Sequence, residues 1–130
     1  MDTRYLLAGI ATLALGATAV QAADYSPAYT PCMDKASTTL AMETCIQVET
    51  QVQDSRLNRV YKQLMAKLDA EPQKRLRDVQ RNWIKYRDGN CAFHGSLSGG
   101  SIDRLQGALC MLDMSRDRAA ELERVLNPEQ

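Results

Sequence analysis

The residues with the most chemical potential here are four cysteines and a single histidine in a chain of 130 residues. Cys91 and His94 stand in a Cys-x2-His spacing. That spacing suits two ligands of one zinc ion, or a thiol nucleophile beside its base. Both uses require Cys91 as a thiolate. The remaining metal ligands would have to come from Cys32, Cys45 and Cys110. An even number of cysteines in a small exported chain points instead to disulfides, and a bridged sulfur is neither ligand nor nucleophile. Metal binding and Cys–His catalysis are therefore not expected. Carboxylate pairs such as Asp113/Asp117 and Glu121/Glu123 fit an ordinary solvated helix face and do not make a glycosidase site. No glycine-rich phosphate loop and no serine-centred nucleophile motif is present. The reading is a noncatalytic protein with no cofactor and no small-molecule substrate.

The elements that position these residues begin with an address. Residues 5–20 are almost entirely apolar or small, and Val20-Gln21-Ala22 offers a signal-peptidase site. A signal peptide over residues 1–22 leaves a mature domain of residues 23–130 in the periplasm. The apolar run is short for a membrane span. No cysteine lies at the cleavage site, the first being Cys32, so lipid attachment is not expected. The chain carries 16 basic and 16 acidic side chains, and the signal removes one of each, Asp2 and Arg4. This neutral balance argues against a nucleic-acid partner. A hydrophobic content of 45% argues against a disordered chain.

The mature chain reads as helices. Residues 23–31, with Pro27 and Pro31, look like an extended lead-in. Thr38 or Thr39 can cap a helix running from about 39 to 69. Its apolar spacing is clear at Leu57, Val60, Leu64 and Leu68 and weak over 47–55, so a bend, or a new start at Asp54, is an alternative. Pro72 fits the first turn of a second helix with a stripe of Leu76, Val79, Trp83 and Ile84. Asp88-Gly89-Asn90 is expected to end it. Residues 91–100 then form a flexible loop, and Ser101 can cap a last helix carrying Ile102, Leu105, Leu109, Leu112, Ala119, Leu122 and Leu126. The fold class is all-α: a small, disulfide-stapled antiparallel bundle of about three main helices.

Spacing leaves the disulfide pairing open among three connectivities. Cys32–Cys45 with Cys91–Cys110 closes two local loops. It needs a turn around residues 34–39, because a straight helix would hold the first pair roughly 20 Å apart. Cys45–Cys91 with Cys32–Cys110 is the rival. The local pairs are favoured.

Several residues recur as a set: Cys32-x12-Cys45, Leu57-Asn58-x2-Tyr61, Gln80-x2-Trp83-x3-Arg87-x3-Cys91, Gly99-Gly100-Ser101, Cys110 and Arg118. Over residues 30–125 this pattern resembles the LprI-like family of small exported proteins, named after a lysozyme-inhibitor lipoprotein. The resemblance implies a helical fold and inhibition of lysozyme. Asn58, Tyr61, Gln80, Trp83 and Arg87 are expected to be framework residues: internal polar contacts, a core ring and a carbonyl or carboxylate partner. Phe93, His94, Leu97, Asp103 and Arg104, around the glycine-bearing loop, are the candidate partner-binding residues. Asp103 could engage a basic enzyme surface. The partner is lysozyme or another cell-envelope protein. The alternative function is a periplasmic structural or envelope-stress accessory protein without lysozyme inhibition.

Overall fold

A computed structural model describes residues 25–129. The expected signal peptide, residues 1–22, lies outside the described residues. The chain forms four helices: α1 (Tyr29–Lys35), α2 (Thr39–Lys67), α3 (Ala70–His94) and α4 (Ile102–Leu126). The three long helices match the all-α expectation. The short α1 replaces part of the extended lead-in. Pro31 permits it, because Pro31 sits in the first turn, where a missing N–H leaves no helical bond unmade.

Thr38 starts α2 as expected, its Oγ1 accepting from the Ala41 amide at 3.1 Å. The helix then runs unbroken through 47–55. The weak apolar signal there has a specific cause. Glu49 and Gln53 occupy the inward positions between Ile46 and Leu57, and each is only 2% exposed. The Glu49 carboxylate accepts from the Ser26 amide at 2.8 Å, from the Ser26 hydroxyl, and from Gln53 Nε2 at 2.7 Å. Gln53 Oε1 accepts from Arg56, which also pairs with Glu123 of α4. The interior is thus polar at this level and every partner is supplied, as a buried polar group requires.

α2 and α4 run in the same direction. Arg104 reaches Glu43 at 2.8 Å near the start of both, and farther along Arg56 Nε reaches Glu123 at 2.7 Å. α3 runs against them: Asn90 meets Cys110 and Met114, whereas Gln80 meets Arg118. The neighbours in sequence are antiparallel, and α4 returns to pack along α2. One apolar cluster joins Leu57, Val60 and Leu64 of α2 to Ala119 and Leu122 of α4, with Leu76 and Trp83 of α3 against it. A second joins Ile46 and Leu112 to Tyr29, with Tyr25 and Met33 alongside.

Both disulfides are local. Cys32–Cys45 staples α1 to α2 (Cα–Cα 5.8 Å), and Cys91–Cys110 staples α3 to α4 (Cα–Cα 5.4 Å). The turn that the first bridge needs falls at 36–38, between α1 and α2. α3 does not end at Asp88-Gly89-Asn90. It continues through Gly89 to His94, because glycine in ordinary helical geometry weakens a helix by about 1 kcal/mol without stopping it. The Gly95 amide closes the helix on the Cys91 carbonyl at 2.9 Å.

The lead-in is docked by Tyr25. Its hydroxyl donates to Asp113 at 2.6 Å, its ring lies 4.5 Å from that of Tyr29, and the Arg116 guanidinium sits 4.6 Å over it. Burial, and then the Asp113 carboxylate, push the Tyr25 phenol from 10.0 up to about 12. The folded state therefore favours the neutral phenol. Its stabilisation is complete below pH 10 and is lost as pH rises through about 12. We expect Tyr25 to ionise near pH 12 in an ultraviolet titration, and Tyr25→Phe to remove that contribution. The same substitution should lower unfolding free energy by about 1–2 kcal/mol in denaturant melts.

Candidate functional site

Two groups of residues draw attention, and they lie in different parts of the bundle. The first is a stack at the seam of the three long helices. Two guanidinium groups lie over the ring of Trp83 of α3, Arg87 at 5.1 Å and Arg118 at 5.9 Å from its centroid. Arg118 Nε donates to Gln80 Oε1 at 3.1 Å, and its NH1 pairs with Glu121 at 2.7 Å. Arg87 pairs with its neighbour Asp88 at 2.9 Å. It also reaches Asp54 of α2 at 3.8 Å and Ser115 Oγ of α4 at 3.4 Å. The positions of Trp83, Arg87 and Cys91 at steps of four put all three on the inward side of one helix. Gln80, Trp83 and Arg87 are thus brought together, and Tyr61 packs on the same apolar cluster. Asn58 is not with them. It is exposed on α2, away from the internal contact expected of it, because Leu57 and Val60 hold the inward positions on either side. Arg118 is buried and joins α3 to α4, a role that periodicity alone does not reveal.

The second group is the loop end of the bundle, where α3 gives way to α4. Phe93 and Leu97 are 59% and 60% exposed, and Ile102 is exposed beside them. His94 is half-buried, its ring edge-on to Phe93 at 5.5 Å. Arg104 is exposed and paired with Glu43. Asp103 does not belong on this surface. It is 6% exposed, and its carboxylate accepts from the Ser98 amide at 3.0 Å, the Ser98 hydroxyl at 2.7 Å and the Gly99 amide at 2.7 Å. These donors occupy the carboxylate that was expected to meet a partner. They also explain why Ser101 makes no side-chain cap: Asp103 holds the loop from inside the first turn. The same hydrogen bonds, that from the Ser98 hydroxyl first, hold the Asp103 carboxyl below its usual range. Gly99 supplies the left-handed turn, with φ +75°.

Beneath the loop, α3 and α4 touch backbone to backbone. A Cβ on Gly107 would stand 3.2 Å from the Gly95 Cα and 3.3 Å from the Cys91 carbonyl oxygen. An open groove of about 460 Å³ runs beside this contact, lined by Arg87, Asp88, Cys91, Ala92, Gly107 and Met111. The Cys91–Cys110 bridge and this close approach make the loop a tethered surface. Cys91 is spent in the bridge, so the Cys91/His94 pair provides no thiolate. Among the described residues, no group of three His, Cys, Asp or Glu side chains gathers as metal ligands.

The fold and this surface define a disulfide-stapled all-α module whose largest apolar side chains at the loop end point to solvent. Residues 32–122 match the family described as lysozyme inhibitor LprI, and the chain belongs to that family. It is also similar to a protein of Rhizobium meliloti (strain 1021) described as uncharacterized. The two are 27% identical over 110 residues, which cover 74% of this chain and 79% of that protein. No solved structure matches the chain.

The Asp103 lock should be visible as amide protection. We expect Asp103→Asn to speed hydrogen exchange at Ser98 and Gly99 by roughly tenfold, because charge-assisted bonds are replaced by weaker neutral ones. A carboxyl with a lowered pKa stabilises above its ordinary value of 3.8 and loses that contribution as pH falls through the lowered value. In the wild-type protein the same two amides should therefore lose protection on acidification through that range. Gly107→Ala should cost about 1–3 kcal/mol in thermal or denaturant melts, since its methyl group meets backbone rather than a flexible side chain.

Proposed function

We propose that this chain is an exported, noncatalytic protein-binding module that inhibits lysozyme in the bacterial periplasm. Its export signal is residues 1–22, and residues 23–130 form one domain. The observation that carries this reading is family membership over residues 32–122. The loop end supplies a surface suited to it. Phe93 and Leu97 are exposed apolar side chains on a segment fixed by the Cys91–Cys110 bridge and the Asp103 lock. A fixed apolar anchor loses little freedom on binding, which favours recognition of a folded partner. His94 and Arg104 provide the polar rim. Asp103 acts indirectly, by holding the loop in place.

The reading is tested by titrating oxidised mature protein against several lysozyme types while recording cell-wall lysis and complex formation. We expect inhibition of at least one type. Phe93→Ser with Leu97→Ser should weaken it by roughly tenfold or more, leaving the helical circular dichroism unchanged. Folded protein that neither binds nor inhibits any lysozyme would refute the proposal. A stable complex with full lysozyme activity would favour the accessory role instead.

A further inference from the structure

The formal charge of zero conceals a strong segregation. Residues 59–85, the end of α2 and the first half of α3, carry eight basic and three acidic side chains. All eight basic residues are exposed. Elsewhere the arginines are largely neutralised within the molecule: Arg56 by Glu123, Arg87 by Asp54 and Asp88, Arg104 by Glu43, Arg116 by Asp113 and Asp117, and Arg118 by Glu121. Within 59–85 the only ion pair among the described residues is Arg81 with Asp78 at 3.9 Å, both well exposed. The hairpin tip therefore presents an excess of exposed positive charge that the protein's own acids only partly offset.

Four of these cations share one face. Lys74, Arg77, Arg81 and Lys85 follow steps of three and four along α3, so they form a stripe about 17 Å long. The stripe points away from the inward side that holds Leu76, Trp83 and Arg87. Exposed Ile84 flanks it on one edge and Asp78, the partner of Arg81, on the other. The cations are spread along the helix rather than converging on one point, and the groove beside Cys91 lies toward the other end of α3. Such an arrangement suits an extended array of negative groups better than a single small anion. An exposed apolar side chain at the margin, Ile84, suits the boundary between headgroups and acyl chains.

We infer that the outer face of α3 docks on an anionic phospholipid surface as a peripheral contact. Among the described residues no helix is long and apolar enough to cross a membrane, so the contact lies on the bilayer. Basic residues near an anionic leaflet each add attraction that falls off within a Debye length. The contact uses the outer side of residues 74–85 and leaves Phe93 and Leu97 clear. It does not rest on lysozyme inhibition, and either reading can fail without the other.

The test is sedimentation of the oxidised protein lacking residues 1–22, whose described fold begins at residue 25, with phosphatidylcholine vesicles prepared with and without phosphatidylglycerol. The expected result is at least about tenfold tighter binding to the anionic vesicles, weakened by added salt. Arg77→Glu with Arg81→Glu should return binding to the phosphatidylcholine level, with unchanged circular dichroism because both side chains are exposed. Equal binding to both vesicle types would overturn the inference, as would binding to neither or undiminished binding by the charge-reversed protein. So would capture by soluble polyphosphate, or self-association of the protein, without vesicle binding.

Discussion

A carboxyl group held at 2% exposure in the middle of the longest helix sets the terms for the N-terminal half of this protein. Glu49 has no access to water, so its lone pairs must find donors within the chain. Two come from Ser26, which obliges the segment before α1 to fold back along α2. The third comes from Gln53, which passes the constraint to Arg56 and through it to Glu123 of α4. One polar line therefore fixes the lead-in, α2 and α4 at once. Hydrophobic contact alone is non-directional and would let these elements slide. The hydrogen bonds set their register.

Toward the start of α2 and α4 from that line, the two staples act on consecutive elements. Cys32–Cys45 keeps α1 beside α2, close to the Tyr25–Tyr29 pair that covers Ile46 and Leu112. Cys91–Cys110 holds the end of α3 against α4 where the two backbones touch at Gly95 and Gly107. The Trp83 stack closes the seam farther along the bundle, beside the Leu57–Ala119 cluster. Its two arginines each reach a different helix, so a single aromatic ring ties α3 both to α4 through Arg118 and to α2 through Arg87.

The three long helices, the local bridges and the family were legible in the residues because each rests on short-range pattern: apolar periodicity, a capping threonine, cysteine spacing. What was not legible required the third dimension. Glu49 and Gln53 looked like an interruption because hydrophobicity was the signal followed. Their step of four, in phase with Ile46 and Leu57, was the clue available. Gly89 looked like a terminator, yet the bridge two residues on and the Asn90 contacts with Cys110 and Met114 favour continuation of the helix. Asp103 looked like a free acid on a loop. Only the turn at Gly99, which folds the Ser98 and Gly99 amides back over the helix start, shows that it is already engaged. Asn58 followed the family pattern, but helical phase carries it outward.

The sequential, unnested arrangement of the bridges has a consequence for how the chain acquires them. The first joins cysteines 13 residues apart and the second cysteines 19 apart, and neither loop encloses the other. Under the export proposed above, a chain delivered to an oxidising space from its N-terminus presents Cys32 and Cys45 together before Cys91 arrives. Pairing in order of arrival gives the native connectivity directly. A protein built this way can be oxidised during translocation without an isomerase to undo wrong partners.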